Sequence, residues 1–60
     1  MEDKELVRIA SEVMNSSRGP FLRTVAEAYV RADLHNREIL REAWTNVVKK
    51  YRLDEEYKKT

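Results

Sequence analysis

The chain has 60 residues and no cysteine, which leaves room for one small domain at most and excludes both a disulfide framework and Cys-ligated zinc. Twelve Lys and Arg against eleven Asp and Glu give a formal net charge of +1, without the basic excess of a dedicated binder of DNA or anionic lipid. One Gly, one Pro, 38% charged and 42% hydrophobic residues describe a folded helical chain, neither linker nor disordered tail, and the absence of Cys makes a reducing cytoplasm the expected location.

The opening Met1-Glu2-Asp3-Lys4-Glu5 carries both signs of charge. No apolar run follows that would make a signal-peptide core or fill the ~20 residues of a membrane span, so a soluble protein without membrane contact is expected. Over residues 3–16, Leu6, Ile9, Ala10, Val13 and Met14 recur at the i, i+3, i+4, i+7 spacing of one helical face, with Val7 at its edge. They cover about 160° of the wheel, and Lys4, Arg8, Ser11 and Glu12 fill the other side. This predicts an amphipathic first helix whose leading acids suit the helix dipole.

Asn15-Ser16-Ser17 followed by Gly19-Pro20 predicts a loop, because Asn and Ser compete for backbone hydrogen bonds and the Gly-Pro pair breaks the helix. Pro20 fits the first position of a second helix, with Gly19 as its N-cap. Helix 2 is expected over about 20–32. Its apolar residues Phe21, Leu22, Val25, Ala26, Ala28, Tyr29, Val30 and Ala32 span roughly 200° of the wheel, leaving Arg23, Glu27 and Arg31 as one thin polar row. A helix with so little polar surface has to be covered on two sides.

Asp33-Leu34-His35-Asn36 is a softer break, with Asp33 as N-cap and Asn36 at the N3 position. Helix 3 is expected over about 34–52, carrying Ile39, Leu40, Ala43, Trp44, Val47, Val48 and Tyr51 across about 180°. No breaker follows, so continuation to residue 59 is one reading, supported by the i, i+4 pairs Asp54 to Lys58 and Glu55 to Lys59 and the step from Leu53 to Tyr57. A separate helical turn capped by Asp54 is the other. No strand pattern, repeat or low-complexity segment is present.

The fold class implied is all-α: a small three-helix bundle, or a helical hairpin with an N-terminal helix. So short a chain is comfortably stable only with unusually good packing or by oligomerising. The apolar arcs of helices 2 and 3 exceed what a three-helix monomer needs, and Phe21, Tyr29, Trp44 and Tyr51 all lie on them. A homodimer with an isologous contact through these helices is therefore expected. Its core and interface residues are Leu22, Val25, Tyr29, Leu40, Trp44, Val47 and Tyr51. The competing reading is that the aromatics fill a monomeric core, and a further one that Trp44 and Tyr51, two turns apart, anchor a partner helix.

The run Ala28-Tyr29-x-x-Ala32-Asp33-x-x-Asn36-x-x-x-Leu40-x-x-Ala43-Trp44 resembles a pattern in small helical proteins encoded by phages and related mobile elements. Those proteins read A-Y-x-x-A-D-x-x-N, then L-x-x-A-F, and often end in K-Y or R-Y, as at Lys50-Tyr51. The likeness covers residues 22–51, with Trp44 in place of the usual Phe and Thr45 where a Pro is common. It implies a helical fold and a phage or mobile-element origin, and brings no assigned activity with it.

Little in the chain can carry catalysis. His35 is the lone histidine, no thiol exists, and Ser11, Ser16 and Ser17 have no base near them in sequence, so a non-enzymatic role is expected and no motif calls for a cofactor. A metal site would take His35, Glu38 and Glu42 at i, i+3, i+7, but Arg37 and Arg41 give that arc the character of a solvated face. The alternative to protein contact is a helix-turn-helix-like binder of DNA or RNA. From His35 onward the chain holds seven basic residues against five acids, and Arg41, Lys49, Lys50 and Arg52 are the candidate phosphate contacts. Against it, Glu38 and Glu42 lie among those bases, and the turn lacks the Gly such bends often use.

Overall fold

A computed structural model describes residues 1–58 and places them in four helices: α1 Asp3–Met14, α2 Pro20–Arg31, α3 Leu34–Lys50 and the single turn α4 Leu53–Glu56. Among the described residues there is no strand, and no helix is long and apolar enough to cross a membrane.

Each helix stops where a named side chain or backbone torsion stops it. α1 ends two residues before the expected position 16. The Ser16 hydroxyl donates to the Val13 carbonyl at 2.7 Å and accepts from the Arg18 N–H at 3.3 Å, which diverts a helix acceptor into the loop. α2 opens with Pro20 at its first position behind an extended Gly19. It closes at Arg31 because Ala32 turns extended, and the freed carbonyls of Val30 and Ala32 accept from Arg37 Nη2 at 3.3 and 3.4 Å. Asp33 caps α3, its Oδ1 accepting the Asn36 N–H at 2.9 Å. The Asn36 amide donates to Asp33 Oδ2 at 3.3 Å, so it binds the cap's carboxylate and not the cap's own N–H.

The expectation that helix 3 runs to residue 52 or continues to 59 is corrected by the structure. α3 ends at Lys50, and Arg52 takes φ 55°, ψ 38°, a left-handed conformation that cannot propagate a right-handed helix. The Arg52 N–H donates to the Lys49 carbonyl at 3.2 Å, one of the two bonds of a Schellman stop. Leu53 and Val48, the pair such a stop brings together, are both buried without exposure. The short turn that follows is α4; its N-cap is Arg52, with Asp54 inside its first turn. Lys59, invoked for the continuation, lies outside the described residues.

The core consists of Leu6, Ile9, Ala10 and Val13 of α1, Leu22, Ala26 and Tyr29 of α2, Trp44 and Val48 of α3, and Leu53. α1 packs chiefly on α2 and more lightly on α3, so it is a full member of the core and not an appended arm. α4 packs against the end of α3, and the chain around it reaches back to α1 and the loop that follows it. There the Arg8 guanidinium donates to the Tyr57 carbonyl while paired with Glu5, and Arg18 pairs with Glu56 and lies over the Tyr57 ring.

Candidate functional site

The site is the α2–α3 hairpin, and its two aromatic residues organise it. Tyr29 and Trp44 stack with ring centroids 6.2 Å apart and planes inclined by 27°. Both are buried, and both turn their polar atom toward α1. Trp44 Nε1–H donates to the Leu6 carbonyl at 3.0 Å. The Tyr29 hydroxyl donates to Asp3 Oδ1 at 2.6 Å. An aromatic ring buries large apolar area only when such a tip finds a partner, and here α1 supplies both partners.

Asp3 anchors a small charged cluster. Its Oδ2 accepts from Arg37 Nη1 at 3.2 Å, Arg41 Nη2 stands 3.9 Å from Oδ1, and the Arg37 guanidinium lies 5.8 Å from the centroid of the Tyr29 ring. The hydrogen bond from Tyr29, followed by the Arg37 contact, holds the Asp3 carboxyl below its ordinary pKa, while burial and the neighbouring carboxylate push the Tyr29 hydroxyl above its own. Arg37 Nε is buried without a hydrogen-bond partner among the described residues. The Tyr29 hydroxyl and both Asp3 oxygens are engaged in these contacts. The cluster fastens the first turn of α1 to the hairpin.

On the face away from α1 an open groove of about 310 Å³ lies above the two buried rings, lined by Thr24, Val25, Ala28, Tyr29, Leu40, Ala43 and Trp44. None of these seven residues is charged, and none belongs to α1. Large apolar side chains stand exposed along the same helical rows. Phe21, 58% exposed, precedes Val25 and Ala28 by four and seven residues on α2. Ile39, 64% exposed, precedes Ala43 by four on α3.

The expected core and interface residues divide between core and rim. Leu22, Tyr29 and Trp44 are buried; Val25, Leu40 and Val47 are half-buried, packed against the core; Tyr51 is 39% exposed. Val25, Tyr29, Leu40 and Trp44 come together in the groove, while Tyr51 sits past the end of α3 as its C-cap, with Lys50 Nζ 5.6 Å from its ring centroid. Arg41, Lys49, Lys50 and Arg52 are all exposed, with Arg41 partly engaged by Asp3. His35, Glu38 and Glu42 are exposed as well, and no group of three metal-ligating side chains is assembled among the described residues.

Sequence reasoning did not single out Asp3 or Arg37 as a pair. They are 34 positions apart, and only the packing of α1 across the hairpin reveals why both are charged. On the helical wheel Phe21 is one more member of an apolar arc; its 58% exposure is visible only once the neighbours are placed. Compared with protein-family models, with curated proteins and with solved structures, the chain matches none, so the site is read from its own chemistry.

Proposed function

We propose that this is a small non-enzymatic helical protein that acts by protein–protein contact as an accessory or regulatory factor, working as a homodimer in the cytoplasm. The observation that carries the reading is the uncharged groove over Tyr29 and Trp44, flanked by exposed Phe21 and Ile39. Contiguous exposed apolar surface on a small protein marks an interaction site, whereas the charged cluster around Asp3 is consumed by holding α1. The resemblance over residues 22–51 adds a phage or mobile-element origin, and with it a host cell as the setting.

The second reading, a helix-turn-helix-like nucleic-acid binder, rests on the exposed bases Lys49, Lys50 and Arg52 at the end of α3. Glu38 and Glu42 are exposed on the same helix, and only Ala32 and Asp33 separate α2 from α3, shorter than the 3–4 residues usual in that motif. Sedimentation of the full chain in low salt, with and without a mixed-sequence DNA duplex, separates the two. The expected result is twice the chain mass at tens of micromolar, unchanged by DNA. A monomer that moves onto the duplex, with binding that falls steeply as salt rises, overturns the reading in favour of the second.

A further inference from the structure

Resting on that reading, we infer that the occupant of the α2–α3 groove is the Phe21 side chain of a second copy of this chain, in a symmetric exchange that fills two grooves at once. In an isologous contact one patch has to carry both the projection and the recess that receives it. This face carries both. Phe21 projects at the start of α2, and the groove opens beside Val25 and Ala28, roughly 6–10 Å further along the helix at about 1.5 Å per residue. A two-fold axis lying in the plane of the face and crossing α2 between these points sends each Phe21 onto the other copy's groove, with the two α2 helices antiparallel.

Size, chemistry and charge agree with this occupant. An apolar cavity of about 150 Å³ is enough to hold a benzene ring, and the groove offers about 310 Å³. Tyr29 and Trp44 lie buried beneath it, and the surface an incoming ring meets is that of Thr24, Val25, Ala28, Leu40 and Ala43, small and aliphatic side chains suited to an aromatic ring. A face that meets itself also brings identical charges together. Here the lining holds no charge at all, and the next charged residue along the α3 row is Lys50, a turn past Val47 and drawn over the Tyr51 ring. On α2, Arg31 and Glu27 are paired with each other at 2.8 Å.

A standard stable interface takes about 800 Å² from each partner, roughly a fifth of the 4407 Å² the chain exposes, so the contact has to extend past the groove to Phe21, Ile39 and the helix surface around them.

The test is sedimentation equilibrium on the full chain beside Phe21→Ala, with circular dichroism as the folding control, since Phe21 is outside the core and its loss leaves helicity intact. The expected result is a wild-type dimer whose dissociation constant rises at least about tenfold in F21A. A wild-type dimer that F21A leaves equally tight overturns the Phe21 exchange and keeps the homodimer. A wild-type chain that stays monomeric at hundreds of micromolar overturns both and gives the face to a different protein. Because the chain is free of cysteine, mixing F21C with A43C under mild oxidation supplies an independent readout. The exchange requires the mixed disulfide to form ahead of the F21C homodisulfide, and the reverse order overturns it.

Discussion

The two faces of the α2–α3 hairpin are built on the same pair of rings and are opposite in character. Toward α1, Tyr29 and Trp44 present their hydroxyl and indole N–H, and each meets an acceptor at 2.6 and 3.0 Å. Away from α1 they lie beneath an open groove whose accessible surface comes from Thr24, Val25, Ala28, Leu40 and Ala43. Directional, satisfied hydrogen bonds fix one neighbour in one register; bare apolar surface accepts any well-shaped apolar group. The chain thus uses Tyr29 and Trp44 to specify its own fold and leaves a groove of small and aliphatic side chains above them. The difference between the faces is open to attack residue by residue.

Trp44→Ala removes the ring beneath the groove and the core of the bundle together. We expect a loss of about 3–5 kcal/mol, read by urea denaturation, enough to unfold a domain of this size. A W44A chain that stays folded would mean that the ring serves only the outer face. Leu53→Ala tests the far end of α3, where α4 packs. Leu53 is fully buried behind the left-handed Arg52, and its truncation should cost about 2–4 kcal/mol while leaving the groove, and any association through it, unchanged in the surviving folded fraction.

Tyr29→Phe sharpens the comparison, for it deletes only the atom facing α1. The loss should be about 1–2 kcal/mol in denaturant titration, because a hydrogen bond to a carboxylate goes and the ring remains. Its pH dependence carries a sign. Asp3 has a folded pKa held below its ordinary value, so its contribution is present above the unfolded pKa of about 4 and is lost as pH falls through the folded one. Thermal melts should therefore decline below about pH 4 in the wild type. In Asp3→Asn that part of the acid decline should be missing, and if D3N melts follow the wild-type pH profile the Asp3 cluster is not what fastens α1.

How much of this was legible in the sequence follows from the range of each signal. α1 and α2 could be read from short-range pattern alone: Leu6, Ile9, Ala10 and Val13 on one stripe, Gly19-Pro20 as punctuation, Asp33 as a cap. The stop after Lys50 could not, because the left-handed position is usually Gly and here is Arg52, while Leu53 continues the apolar rhythm as a false prolongation. Wide apolar arcs on helices 2 and 3 pointed to two covered sides, and the groove lies on the side α1 leaves open. Which apolar residues would end up bare was beyond reach. Ile39 and Leu40 are adjacent on one arc, yet one is 64% exposed and the other is packed against the core.

The smallest effect is the most discriminating. Ile39→Lys replaces an exposed apolar side chain on the groove face, and at concentrations low enough to keep the chain monomeric it should change stability by no more than about 0.5 kcal/mol. Ala10→Lys places the same charge on the closed side, where Ala10 has no exposure at all. There the ammonium would be buried among Leu6, Val13 and Trp44 without a partner, and the chain should fail to fold. Equal tolerance of the two substitutions would mean that the faces do not differ. The expected asymmetry separates the two faces: an apolar side chain that a charge replaces without loss of stability is one that folding did not require.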